Sequence, residues 1–138
     1  MRDNKLESFV SLAALLFVAH AADHVARDLR WPLTAEAIPF LLATLVILTV
    51  VSGALVLYRR GTLGPRFWAI FGGISVTAGW LGHFSPFSEQ SPQYILHAYR
   101  SAVVGWLAVG SLVALMLTLI AITIYSALLW ARGGEVKP

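Results

Sequence analysis

Long apolar runs separated by short polar interruptions dominate the chain. Residues 6–22, 37–58, 67–84 and 102–130 are almost continuously hydrophobic, and about 20 such residues suffice for a helix to cross a hydrocarbon core about 30 Å thick. The pattern predicts an all-α integral membrane protein with a single domain, 1–138, folded as an up-down bundle of four transmembrane helices. The third run is short and carries Gly72, Gly73, Gly79 and Gly82. In lipid the backbone must bond to itself, so such a helix survives and its glycines permit close packing. The fourth run is long enough to tilt or overhang. Tyr58, Trp68, Tyr99 and Trp130 fall near run ends, where aromatic belts form at the membrane–water interface.

The interruptions agree with this division. Trp31-Pro32 is expected to stop the first helix, because proline drives the residue before it out of the α region. Thr34 can cap the second helix, with Glu36 near its positive end and Pro39 within the tolerant early turns. Residues 59–66 read as a tight basic turn, and 85–91 as a polar loop. Ser91-Pro92 reads as an N-cap followed by proline at the first helical position, opening a short interfacial helix over 92–101.

Composition changes the picture in two ways. With 58% hydrophobic and 12% charged residues among 138, the chain is too apolar for a soluble domain, where roughly a quarter of residues are charged. Its solvent is the lipid bilayer. The absence of cysteine excludes disulfides, thiolate metal sites, cysteine nucleophiles and covalently attached c-type haem. The net charge of +3 sits in short clusters without interleaved aromatics, which fits topology signals and not nucleic acid. Arg2, Lys5, Arg59, Arg60, Arg66, Arg132 and Lys137 share one face of the predicted bundle, against Arg27, Arg30 and Arg100 on the other. Cytoplasmic faces carry the excess of Lys and Arg, so both termini are expected inside and the loops 23–36 and 85–101 outside. The expected location is the cell membrane, specifically a bacterial inner membrane. A competing reading takes 1–21 as a secretory signal peptide ending at Ala19-His20-Ala21; Asp3 and Glu7, which offset Arg2 and Lys5, argue against it.

Candidate chemistry gathers at the predicted outer face. His20 and His24 close the first span, His83 closes the third and His97 leads into the fourth, so an up-down bundle brings all four imidazoles into one layer. His20, Asp23, His24 and Arg27 follow at i, i+3, i+4 and i+7 and form a stripe on one helix. Two imidazoles at i and i+4 are the spacing of helical zinc sites. The candidate metal ligands are therefore His20, His24, Asp23, His83 and His97. Asp28 can orient the His24 ring and Arg27 can pair with Asp23 behind them. Glu36 and Glu89 lie on the same side. Arg100 is a candidate contact for a lipid headgroup or another anion.

Three readings of function follow, and no reaction can be named from any of them. One is a multi-pass membrane protein with a divalent metal, such as zinc, at an extracytoplasmic His/Asp cluster. Another is a non-catalytic accessory subunit whose Gly/Ala-rich helix faces, including Ser75 with Gly79 and Ser101 with Gly105, pack against another copy or a larger membrane complex. The last is an electron-transfer subunit with b-type haem between His83 and His20 or His24, its macrocycle lying on the flat Ala69, Gly72, Val76 and Gly79 face. The bland alternative for the histidines is a polar collar bonded to headgroups and water. No acidic residue or histidine lies in the middle of the later spans, which disfavours a proton- or ion-coupled transporter.

Overall fold

A computed structural model describes residues 3–28 and 37–134. Among them are five helices and no strand: α1 (Asn4–Asp28), α2 (Ala37–Arg59), α3 (Pro65–His83), α4 (Pro92–Ala98) and α5 (Ala102–Gly134). The Trp31-Pro32 stop, Thr34 and Glu36 lie outside the described residues. Three helical segments, Asn4–Arg27, Ile38–Arg59 and Ala102–Gly133, are long and apolar enough to cross a membrane. The 19-residue α3, about 28 Å long, is not among them; its four glycines, Ser75 and Thr77 dilute its hydropathy. The outward surface is that of a protein in lipid: Leu107 is 68% exposed and Leu15 67%, while the hydroxyl-bearing Ser126 is fully buried.

Local chemistry explains where the helices begin and end. Asp3 caps α1, its carboxylate accepting from the Leu6 N–H at 2.9 Å, a contact worth about 1 kcal/mol. α1 then runs past the apolar stretch that announces it and carries the His20–Arg27 stripe as continuous helix. α2 ends in a Schellman turn: the Thr62 N–H donates to the Leu57 carbonyl at 2.9 Å and the Gly61 N–H to that of Tyr58 at 3.0 Å. Gly61 sits at φ +76°, the left-handed conformation this motif requires and glycine adopts freely. Pro65 opens α3 behind Gly64. Ser91 caps α4 by accepting from the Tyr94 N–H at 3.3 Å, as its sequence predicts, but α4 stops at Ala98 because Tyr99 turns extended.

α5 is the centre of the packing, with α3 on one side, α1 on another and α4 folded against its start. Gly72 and Gly79 set the α3–α5 distance. A Cβ on Gly72 would lie 2.5 Å from Thr123 Oγ1, and one on Gly79 2.6 Å from Met116 Sδ. The glycine face predicted as flat is thus filled by α5. Gly105 serves α4 in the same way, since its Cβ would come within 3.0 Å of the Leu96 carbonyl oxygen. On the other side, Phe9 meets Tyr125 edge-on at 5.9 Å, and the Tyr125 hydroxyl donates to the Asp3 carboxylate at 3.1 Å. These pairings run α5 antiparallel to both α1 and α3. α2 lies along α1, antiparallel to it, with the Asp3 N–H donating to the Tyr58 hydroxyl at 3.1 Å and Arg59 pairing with Glu7 at 3.1 Å. The ends of α1 and α3 therefore emerge together at the end opposite the Asp3–Tyr58–Tyr125 knot.

The two glycines predict different sensitivities. Gly72→Ala should cost about 1–3 kcal/mol, because Thr123 is β-branched and its hydroxyl is held by the Leu119 carbonyl at 2.8 Å. Gly79→Ala should cost less than about 1 kcal/mol, because the Met116 thioether can swing aside. Thermal unfolding of both variants in detergent micelles, followed by circular dichroism, checks the order; equal losses would refute it.

Candidate metal centre

His20 and His24, one turn apart on α1, meet His83 at the last position of α3. One ligating atom from each ring lies within 4.8 Å of the other two. Ring centroids are 4.7 Å apart for His20 and His24, 4.8 Å for His20 and His83, and 5.7 Å for His24 and His83. His20 and His83 are each 8% exposed. His24 is partly covered and also faces the Phe40 ring of α2 at 4.9 Å. Zinc–nitrogen bonds of about 2.0–2.1 Å in a tetrahedral shell hold nitrogens about 3.3 Å apart, so small ring rotations close this cluster on an ion.

The loop after α3 sets the orientation of His83. Its Nδ1 is 2.8 Å from the Gln90 carbonyl oxygen. With Nδ1–H donating there, Nε2 keeps its lone pair for a ligand, the arrangement that outer partners impose on metal-binding imidazoles. The loop is braced by Ser85 Oγ donating to the Leu81 carbonyl at 2.9 Å, by Ser88 Oγ donating to the Gly82 carbonyl, and by the Gln90 N–H on Ser88 Oγ at 3.1 Å. Nδ1 of His20 is buried with no hydrogen-bond partner among the described residues. Leaving such an atom unmet costs about 1–3 kcal/mol, which an ion or a water would relieve.

Asp23 faces a second, adjacent network. Its Oδ2 accepts from Arg27 Nε at 3.0 Å and Nη2 at 2.8 Å, and its Oδ1 accepts from the Tyr99 hydroxyl at 2.6 Å. Arg27 Nη1 donates to the Gln90 side chain at 2.9 Å, and its guanidinium lies over the Tyr94 ring at 5.6 Å. Gln90 thus joins the networks, its carbonyl on His83 and its amide oxygen on Arg27. Nothing in the sequence singles out Gln90. Tyr99 is visible there only as an interfacial aromatic.

Among the described residues, no other predicted ligand joins the three rings. His97 is exposed, with Nδ1 2.7 Å from the Gln93 carbonyl oxygen of its own helix. Ile95, two residues earlier, is fully buried against α5; residues two apart on a helix point roughly oppositely, so α4 turns His97 outward. Glu89 and Arg100 are exposed. The side chain of Asp28 lies outside the described residues.

Beneath the cluster, a cavity of about 400 Å³ runs between α1, α2, α3 and α5. His20 and His83 bound one end and Trp68 lines the other, with Phe17, Ile47, Val51, Ile74, Ala78 and Leu115 among the wall residues. The Ser75 hydroxyl in the wall donates back to the Phe71 carbonyl at 2.9 Å. Comparison with family models, with curated proteins and with solved structures finds no match.

Tyr99 supplies a pH test of the Asp23 network. Burial, then its hydrogen bond to Asp23 and that carboxylate's charge, push its phenol up to about 12. Because the folded value exceeds the ordinary 10.0, the stability it contributes is fully present below about pH 10 and is lost as pH rises through about 12. The phenolate absorbance of wild type minus that of Tyr99→Phe should titrate near 12, and Asp23→Asn should move that difference down toward 10. A Tyr99 titration unmoved by Asp23→Asn would break this assignment.

Proposed function

We propose that the protein is a multi-pass protein of the bacterial inner membrane that holds one divalent transition-metal ion, such as zinc, on His20, His24 and His83 at its extracytoplasmic end. The observation that carries this reading is the convergence of three imidazoles from two helices far apart in sequence, with ligating atoms within 4.8 Å of one another. Two further features support it: the His83 Nδ1 contact with Gln90, which leaves Nε2 for the ion, and the unpartnered buried Nδ1 of His20. All-imidazole donors suit zinc, copper or nickel and not magnesium or calcium. Three protein ligands leave a tetrahedral ion one open position. When bound, the ion supplies Lewis acidity there.

The topology belongs to the same proposal. α3 is the short fourth span, held in lipid by α5, and the basic end with the Asp3–Tyr58–Tyr125 knot faces the cytoplasm, as the lysine and arginine distribution requires. The ion is favoured over haem because α5 covers the Gly72–Gly79 face and the His20 ring stands edge-on to both His24 and His83 at 4.7 and 4.8 Å between centroids, too close for a macrocycle to lie between them.

Metal analysis of protein purified with zinc should give about one equivalent per chain. His20→Ala, His24→Ala and His83→Ala should each lower affinity by at least tenfold, while His97→Ala keeps the full equivalent. Wild-type protein without metal, or single-histidine variants that retain it, would sink the proposal.

A further inference from the structure

The histidine cluster and the cavity share a wall, since His20 and His83 belong to both. We infer that the cavity binds a single-chain fatty carboxylate from the bilayer, its head on the ion at the histidines and its tail running toward Trp68. This rests on the metal reading above and names the ligand class that its open position takes.

Charge selects the head. Three imidazoles carry no charge to set against the +2 of a divalent ion, and among the described residues no carboxylate joins the cluster. Asp23, the nearest candidate, is already committed to Arg27 and Tyr99. In low-dielectric surroundings such a site favours an anionic oxygen donor as its fourth ligand. A carboxylate is that donor in its smallest form.

Shape and polarity select the tail. His83 and Trp68 are 15 positions apart on α3, about 22 Å along the helix axis, longer than one bilayer leaflet of about 15 Å. The volume of about 400 Å³ lies at the small end of the range for bound organic molecules and suits one chain, not two. Apart from the histidines, Ser75 with its hydroxyl turned back to its own helix, and the Trp68 indole, the wall is made of apolar side chains and glycine. Access is lateral. Ile47 of α2 and Ile74 of α3 line the cavity and are also exposed on the outer surface, 39% and 66% respectively. The gap between α2 and α3 therefore opens sideways, where a membrane-dissolved chain arrives without crossing water.

Cobalt(II), whose visible spectrum reports its ligands, provides the test. Palmitate added to the cobalt-loaded protein in detergent should change that spectrum saturably, at about one equivalent. Acetate, with the same head and no tail, should need at least a hundredfold higher concentration. Ser75→Phe and Val51→Phe, which fill the cavity away from the histidines, should take up cobalt with the wild-type spectrum and weaken the palmitate response at least tenfold. Either variant suffices, because an intact cobalt spectrum certifies its fold. A cobalt spectrum indifferent to palmitate, equal potency of acetate and palmitate, or an undiminished palmitate response in a filled variant would overturn the inference and leave the metal site standing. Failure of wild type to take up cobalt would overturn both.

Discussion

The close approach of α3 to α5 is the constraint on which the rest depends. Two glycines seven residues apart, Gly72 and Gly79, lie on the same face of α3, and Thr123 and Met116 of α5 occupy the space their side chains would fill. Such contact stabilises helices in lipid, where no hydrophobic driving force acts between them and dispersion contacts must serve. It also fixes axial register. With Gly72 against Thr123 and Gly79 against Met116, His83 lies one turn further on, at the level where α1, held to the same α5 through Phe9, Tyr125 and Asp3, presents His20 and His24. A shift of one turn along α5 would move His83 by about 5.4 Å and separate the rings.

Helix positions were largely legible because lipid imposes a length and a composition on any crossing segment. The Ser91 cap was legible too, since its local chemistry is self-contained, whereas Pro65, read as part of the basic turn, begins α3. α1 outran its apolar stretch by about a turn and a half because helix propagation needs only backbone bonds, which the polar His20–Arg27 stripe supplies as well as an apolar one would. The sharing of one end by His20, His24 and His83 followed from strict alternation of helix direction. Their convergence did not follow, because it depends on the α3–α5 register. The sequence shows the glycines but does not say which partner enters them. The glycine face was open to α5, to another protein or to a haem plane, and only the fold decides among these.

His97 and Asp23 show how a layer differs from a site. Both lie in the histidine layer, and neither joins the cluster. For His97 the reason is rotation about the short α4 axis, fixed by the burial of Ile95. For Asp23 the reason is competition. Arg27, one turn on, offers two donors in fork geometry, and Tyr99 adds a third at 2.6 Å. The Arg27 side chain is fully buried and that of Asp23 is 7% exposed, so withdrawing the carboxylate toward an ion would break a buried pair, a change that costs about 3–5 kcal/mol.

That competition determines the electrostatic character of the cluster. A carboxylate committed to Arg27 forms a pair of zero net charge beside the three rings, and among the described residues no other carboxylate joins them. Water offsets an ion's charge poorly where the surroundings are apolar, and the cavity below is apolar over most of its length. The same arrangement that turns Asp23 from the ion therefore makes an anion from outside the chain the natural counter-charge. Gln90 strengthens the coupling, because one residue holds both Arg27 and His83. The ion pair and the histidine cluster thus complement each other on the metal reading: the first keeps Asp23 occupied, and the second leaves a position for a ligand from outside the chain.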